Sequence, residues 1–566
     1  MRVLANAPRN ETQVQYHRRR FEELKSIRSP WESLWQSLAE YVEPTRLRLQ
    51  LVNEGPLTRT KIVDSTATFA LRTLASGMHS GITSPARPWF RLTTYDPSMK
   101  DYGPVKTWLA EVERRMREIF QRSNIYPSFH SGYADLGLFG QSCSILAEDD
   151  RDTIRMQHLL HGTFWIARDE FGRATTLYRR FRWSVQKIVS RFGYEACSQP
   201  VKTQWDQGNY DRTFDICHAI EPRLARDPDK IDKRNKPFLS NYWESNHSND
   251  DRLLEESGFD ENPVIAPAWE IAGDDHYAMS PGQVAIGDVR MLQMQQTRKL
   301  EALDKMVRPP MTGPTSMRNN PASLLPGAIT YVDDPAGKGY RPAIEVNLRI
   351  SELGQDIRDV ANRINQTFYA DLFLMISNME GIQPRNQFEI AERKEEKLLA
   401  LGPVLENIYN GQLAPVIDRT FNILERRREL PPPPPELEGR DLQIEYISIL
   451  AQAQKAVATG SIERTAAFIG NLAAVRPDVL DKFDVDEAVD QYADMLGSPP
   501  SIIVSDDKVE EVRQSRQKAQ QAAQQAEMMS QMAPAAKAGA EAASVLADLR
   551  NAGSSQSLLS RLGIGG

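Results

Sequence analysis

This 566-residue chain is short of most signals that announce a chemistry. Its only cysteines, Cys143, Cys197 and Cys217, are far apart and form no CxxC pair, which excludes a disulfide framework or a zinc ribbon and suits a reducing compartment. No GK followed by Ser or Thr occurs, so the phosphate loop of an ATP-driven motor is missing. No HExxH occurs either, and neither a metal nor a cofactor is expected. No run approaches the roughly 18 apolar residues of a membrane span, and ADLFLMI at 370–376 reads as helix core. The start, MRVLANAPRN, lacks the apolar centre of a signal peptide. Positive charge is not in excess: 69 Lys+Arg against 76 Asp+Glu give a formal net charge of −7. A protein-wide clamp on a polyanion is therefore excluded, and any nucleic-acid contact must be local. These absences predict a soluble, cytoplasmic chain with no membrane partner.

What is present is globular: 40% hydrophobic and 26% charged residues, in a chain long enough for about two to four domains. The first 125 residues read as helical. Phe21, Leu24 and Ile27 share one face; after Pro30 a second helix is expected to carry Trp31, Leu34, Trp35, Leu38 and Tyr41 until Pro44. Asp64 is placed to cap the helix DSTATFALRTLASGM, with Gly77 as its stop. Trp108, Val112, Met116, Ile119 and Phe120 line one side of a helix over 105–124. Between about 144 and 270, short apolar or alternating segments bounded by Gly, Asn, Asp and Pro predict a mostly antiparallel β region. One helix interrupts it, capped by Ser184 and closed by Gly193. Ser280 and Pro281 open a long helix whose apolar spacing runs through Val289, Leu292, Leu300, Leu303 and Val307. A second long helix is expected from about Leu348 to Asn378, and the two flank a strand-like, Gly/Pro/Asn-rich insert. Asn386 and Glu389 have capping-box spacing, Pro431 to Pro435 form a polyproline spacer, and an Ala/Gln-rich helix runs from Asp506 to about Asn551. The expected fold class is mainly α with a β-rich region, an α+β architecture.

The segment SGMHSGITSPARPWFRL, residues 76–92, is dense in glycine and proline but lacks the lysine of a phosphate loop. Gly77 and Gly81 are expected to end a helix and turn the chain, Trp89 and Phe90 to anchor it, and Arg87 and Arg91 are candidates for contacts with a neighbouring subunit. GQSCS, residues 140–144, misses the nucleophile elbow GxSxG at Ser144 and reads as a buried strand start. His158 and His161 are spaced to share a helix face, but with no third ligand they read as structural. Ser184 of SVQK is better explained as a helix cap than as a nucleophile. The arginine runs 18–20 and 426–428 read as a solvated helix face or an inter-subunit ion pair. No catalytic residue stands out.

Several strings, SPWESLWQSLAEYVEPTR, IVDSTATFALRTLASGMHSGITSPARPWFRL, SPGQVAIGDVRMLQ and LGPVLENIYNGQLAPVIDRTFNILERRRELPPPP leading to IEYISILAQAQ, together touch most of residues 25–455. They resemble the head-to-tail connecting (portal) proteins of short-tailed, T7-like bacteriophages. The resemblance implies no enzyme but a ring, a homo-dodecamer, at one vertex of the capsid of the virion, assembled in the host cytoplasm. Double-stranded DNA would pass through its channel without sequence specificity during packaging and ejection. Residues 1–280 would form the wing, 281–308 and 347–377 the stem helices, and 309–346 the clip. Residues 378–386 would be the tunnel loop, 387–435 a broken wing helix with the proline spacer, 436–505 the crown, and 506–566 a terminal helical barrel and tail. The implied DNA-facing residues are Glu380, Gln383, Arg385 and Asn386, and the implied partner-binding residues of the clip are Arg318, Asn319, Asn320, Lys338 and Arg341. Implied partners are the terminase large subunit, tail adaptor and nozzle proteins, scaffold and major capsid protein, and internal ejection proteins. The rival readings are another oligomeric virion component of tail or scaffold, and a virion-associated hydrolase built around Ser142 or His158 and His161.

The tunnel-loop assignment is tested by deletion. Removing residues 379–385 is expected to spare ring assembly and to impair packaging or retention of DNA, measured as packaged genome per particle; unaffected packaging would remove the assignment.

Overall fold

The computed structural model describes residues 11–96 apart from 51–60, then 102–307 apart from 231 and 246–251. It further describes the pairs 311–312 and 341–342, the segments 350–377, 401–437 and 442–447, and helical pieces at 465–472, 485–496 and 509–521.

Helix α1 spans Gln13–Tyr41 and opens on a capping box: Thr12 Oγ1 accepts the Gln15 N–H and Gln15 Oε1 accepts the Thr12 N–H, both at 3.2 Å. Pro30 lies inside this single helix, so the expected break there is corrected. An interior proline costs a helix about 3 kcal/mol. Tertiary contacts on both sides outweigh it: Arg28 donates to the Gly162 and Phe164 carbonyls at 2.8 Å, and Trp35, Leu38 and Ala39 are buried beyond it.

Helix α2 covers Thr66–Ile82. The N-cap residue is Ser65 and not Asp64 as expected; the Asp64 carboxylate sits one residue earlier, its Oδ1 accepting both the N–H and the hydroxyl of Thr66. Gly77 does not stop the helix. It sits mid-helix because a Cβ there would run into the Phe373 ring; this glycine is a packing seat, and the turn comes only after Ile82. Strand β1, Phe90–Thr94, is followed by helices α3, Gly103–Arg122, and α4, Ile125–Phe139. The expected face of α3 is buried from Val112 to Phe120, with Trp108 half-buried and donating to the Pro431 carbonyl at 3.0 Å. Helix α4 has nearly all its side chains buried and ends on Gly140 at φ +79°, where any side chain would strike the carbonyls of Ala278 and Met279.

The β region follows. Strands β2 (Ser144–Asp149) and β3 (Thr153–His158) pair as a hairpin. Strand β4 (Phe164–Arg168) and β5 (Ala174–Ser184) come next, then helices α5 (Val185–Phe192) and α6 (Gln199–Asp206), then β6 (Thr213–Pro222), β7 (Phe238–Glu244), β8 (Glu255–Phe259) and β9 (Val264–Ile265). Strands β4 to β8 form one antiparallel sheet in sequence order, and β3-β2-β9 a second. Ser184 caps α5 and Gly193, at φ +86°, closes it, both as the sequence predicts. Helix α1 covers one face of the five-stranded sheet, where Phe21 meets Trp165 edge-on and His17 stacks on Trp243. Val185, Ile188 and Val201 of α5 and α6 pack with Ile216.

Helix α7, Pro281–Val307, leads to β10 (Met311–Thr312), which pairs with β11 (Arg341–Pro342). The second long helix is not continuous. It divides into α8, Ile350–Thr367, and α9, Ala370–Ser377, at Tyr369, whose φ of +55° costs a non-glycine residue about 1–2 kcal/mol. Burial of Phe368 and Leu372 on either side holds that kink. Helix α10 (Gly402–Ile408) runs through a π-turn over Tyr409–Leu413 into α11 (Ala414–Arg426). Strand β12, Leu442–Tyr446, returns to pair with β1, from Phe90↔Tyr446 to Thr94↔Leu442, and helix α12 covers Val485–Leu496. The Ala/Gln helix is described over 509–521, where it is helical and exposed.

The Gly77 seat is directly testable. Gly77→Val is expected to destabilise the chain by about 1–3 kcal/mol through overpacking against Phe373, read as a lowered melting temperature, and Phe373→Ala should recover part of the loss. A neutral Gly77→Val would contradict the α2–α9 packing.

Candidate functional site

The α7/α8 hairpin is the part of the chain built to reach away from the core, and its root is heavily fixed. Ser280 and Gln283 form a reciprocal cap: Ser280 Oγ accepts the Gln283 N–H at 3.0 Å, and Gln283 Oε1 accepts the Ser280 N–H at 3.3 Å. The same hydroxyl donates to the Leu138 carbonyl at 2.8 Å, and a Cβ at Gly282 would lie 2.6 Å from that oxygen. The first turn of α7 thus sits against the end of α4. About three helix turns further, Gln293 acts as a clamp, its Oε1 accepting the Val63 and Asp64 N–H groups at 2.7 Å and its Nε2 donating to the Asp64 carbonyl at 2.8 Å. Nothing in the sequence marks this glutamine, because a polar residue in a long helix ordinarily reads as solvent-facing.

Up to Gln293 the helix faces the core. Val289 and Leu292 are buried, as are Ile357, Val360 and Ile364 of α8, and Arg363 pairs with Asp288 at 2.9 Å. Yet the apolar spacing of α7 continues outward into residues that a single chain leaves exposed: Leu300 at 57% and Val307 at 77%. Charge on the hairpin alternates, with Arg290, Arg298, Lys299 and Lys305 against Asp288, Glu301 and Asp304 on α7, and Arg358 and Arg363 against Glu352, Asp356 and Asp359 on α8. Strands β10 and β11 then bring the two ends of the insert together, with Thr312 opposite Arg341. Of the residues assigned to the insert, Arg341 lies on β11, while Arg318, Asn319, Asn320 and Lys338 lie outside the described residues, as do Glu380, Gln383, Arg385 and Asn386.

The two arginines near the 76–92 segment are placed differently. Arg87 is exposed in the turn before β1. Arg91 is buried within β1 beside Glu445 of β12, at 4.0 Å, so its guanidinium is engaged inside its own chain. Trp89 and Phe90 are fully buried against Phe120, as expected of anchors.

The residues considered for hydrolysis do not assemble into one site. Ser142 is buried at 2% exposure, and His158 hydrogen-bonds Ser144 instead, Nδ1 to Oγ at 3.3 Å. His158 and His161 do not share a helix face: His158 ends strand β3, and His161 lies in the following turn. The His158 Nε2 meets Asp135 Oδ2 at 3.0 Å, and the other Asp135 oxygen takes Arg46 at 3.0 Å. Ser144, His158 and Asp135 thus line up, but Ser144 is paired in register with both His158 and Ile265 and is 6% exposed, which suits a fastening and leaves no room for a substrate. His161 is enclosed by Phe139, Trp35 and Phe164, and burial pushes its pKa down to about 3, so it is neutral. The arginine runs are ion-paired: Arg19 and Arg20 with Glu23, Arg426 with Glu148 and Arg427 with Glu429. Among the described residues no group of three or more His, Cys, Asp or Glu could hold a metal ion.

Comparison with known proteins gives the family. The family described as bacteriophage head to tail connecting protein matches residues 15–504. A portal protein of Salmonella phage epsilon15 is 44% identical over 508 residues, covering 89% of this chain and 91% of that protein. A probable portal protein of Bordetella phage BPP-1 is 45% identical over 499 residues, covering 88% and 89%. Among solved structures, a chain of the virion of a native gene transfer agent particle matches at a TM-score of 0.33 and 12% identity, covering 77% of this chain and 91% of that one, too distant a likeness to carry an argument.

The Asp135 network sets an acid limit. Burial alone would raise the Asp135 pKa, but the hydrogen bond and charge of His158 and the charge of Arg46 hold it below the ordinary 3.8. A carboxylate with a depressed folded pKa contributes stability above its unfolded value and loses it as pH falls through the folded one. Asp135→Asn is expected to cost about 1–3 kcal/mol at neutral pH and to flatten the fall in stability below pH ~4, measured by thermal melts across the acid range. An unchanged acid limb would show that other carboxylates set it.

Proposed function

The chain belongs to the bacteriophage head to tail connecting protein family, and we propose that it acts as the portal, a non-enzymatic ring at one capsid vertex through which double-stranded DNA is packaged and later ejected. The observation that carries the working reading is the α7/α8 hairpin: fixed at its root by Ser280, Gly282 and Gln293, and exposing Leu300 and Val307 further out. An apolar stripe at helical spacing that one chain leaves in water is stabilised when neighbouring copies cover it. Side-by-side hairpins around an axis would form the stem of the ring, for which a dodecamer is the expected count.

The mixed charge of that hairpin suits a conduit. Strong, uniform lysine and arginine coordination of phosphates would hold DNA in place, whereas alternating signs leave little net grip on a polyanion that must slide through. In this reading the β-rich region with α1 to α6 is the wing, and the insert closed by β10 and β11 is the clip. The clip would meet the terminase large subunit during packaging and the tail adaptor and nozzle proteins afterwards. The loop from residue 378, with Glu380, Gln383, Arg385 and Asn386, would face DNA, and the segment after 436 would form the crown and terminal barrel, near scaffold, major capsid and internal ejection proteins. The hydrolase reading is set aside by the family and by the separation of Ser142 from His158. No observation favours a tail or scaffold component over a portal.

Electron microscopy of the purified chain is expected to show rings with a wide central hole, and the Leu300→Glu/Val307→Glu variant is expected to sediment as smaller species. A monomeric or filamentous wild type would overturn the ring; an intact ring in the variant would overturn the stem contact alone.

A further inference from the structure

A cavity of about 510 Å³ opens between the middle of α1, the segment 48–50 and the β4–β5 edge of the five-stranded sheet. Its floor is rigid. Leu47 is bridged to His161, the Arg48 N–H donates to the His161 carbonyl at 2.9 Å, and a Cβ at Gly162 (φ +90°) would lie 2.7 Å from the Arg48 carbonyl. Glycine is therefore required where the two segments cross, and the crossing holds Arg48 at the cavity.

The lining is unusual for a chain of net charge −7: it carries Lys25, Arg28, Arg48 and Arg180 with a single carboxylate, Glu32. Arg28 is satisfied by Glu32 and by two backbone carbonyls, Lys25 has Glu22 at 2.6 Å, and Arg180 has Asp215 at 2.7 Å. The half-buried Arg48 side chain makes no hydrogen bond or ion pair among the described residues. Two lining residues also carry buried N–H groups with no acceptor: Nε1 of Trp165, itself 6% exposed, and Nε of Arg180. Buried donors left unmatched are costly, and cations gathered at one cavity repel one another. All of these deficits are of one kind, a shortage of acceptors and of negative charge.

We propose that this cavity is a binding site for a phosphate oxyanion, with Arg48 supplying the free charge, Lys25 a second cation alongside its Glu22 contact, and the surroundings of Trp165 and Arg180 the further donors. A tetrahedral oxyanion carrying more than one negative charge matches several guanidinium and ammonium groups better than one carboxylate does, because each of its oxygens can accept from a different donor. The phosphate could belong to a DNA backbone or be free in solution; the chemistry at the cavity is the same. The proposal does not rest on the portal reading, since it concerns a surface between α1 and the sheet, away from the α7/α8 hairpin.

The test titrates the full-length assembled protein with inorganic pyrophosphate by calorimetry, in parallel with a short DNA duplex and an oligoglutamate peptide. Pyrophosphate is expected to bind the wild type, and Arg48→Ala and Lys25→Ala are each expected to weaken it by about tenfold or more. Melting temperatures without ligand verify that both variants are folded, and Lys25→Ala carries the test if Arg48→Ala is not. A duplex that competes with pyrophosphate in the wild type and not in the variants assigns the phosphate to a nucleic-acid backbone. Pyrophosphate binding that the duplex leaves untouched assigns it to a free phosphate. No pyrophosphate binding, equal binding in wild type and both variants, or binding of oligoglutamate alone would each overturn the proposal, the last in favour of a protein carboxylate.

Discussion

The constraint on which the rest of the structure depends is the burial of α4, where only Pro127, His130 and Ser131 reach the surface. A helix with so little solvent face has to be approached closely by what surrounds it, and the contacts show how. Gly137 lets Leu74 of α2 approach to where a Cβ would be only 2.6 Å away. Gly282 lets α7 begin directly over the Leu138 carbonyl. Gly140 turns the chain in a left-handed conformation at a place where any side chain would collide with the backbone before α7. Close packing at this density transmits position, so where α7 begins is set by where α4 ends.

Around that core, buried polar side chains work as fasteners between segments distant in sequence. Arg28 ties α1 to the turn at Gly162 and to Phe164, and Arg419 ties α11 to the Leu146 carbonyl and to Glu261. Gln293 ties α7 to the segment before α2. A buried guanidinium or amide is tolerated only when its hydrogen bonds are made, so each of these fixes one specific arrangement of its partners. The Ser144, His158 and Asp135 line belongs with them: it has the atoms of a catalytic relay but is closed in by strand pairing and by Arg46. At the cavity beside Arg48, by contrast, the Trp165 Nε1 and Arg180 Nε donors are left without acceptors among the described residues.

The hairpin that follows is asymmetric in consequence. Its root is locked through four backbone carbonyl or amide groups, whereas its outer part shows apolar residues and alternating charge. A rigid base with an unsatisfied stripe is what an assembling element needs: the base fixes the angle at which neighbours meet, and the stripe supplies the free energy.

The sequence by itself determined the class, an α+β chain, the β-rich middle region, the Ser184 and Ser280 caps, the burial of Trp89 and Phe90, and the family, since these depend on local spacing, capping chemistry and matching strings. It did not determine that Pro30 stays helical, that Gly77 is a seat for Phe373, or that Tyr369 kinks the second long helix, because each is decided by a contact partner tens to hundreds of residues away. Helix α4 escaped notice for a related reason: a helix buried over nearly its whole surface has little polar stripe to give it a period. The engagement of Arg91 with Glu445, the Gln293 clamp and the cluster of Lys25, Arg48 and Arg180 likewise exist only once β1 meets β12, α7 meets the 63–64 segment and α1 lies on its sheet. Local preference is written along the chain; which distant group a side chain will face is decided by tertiary packing, where a few kcal/mol of burial outweigh any local propensity.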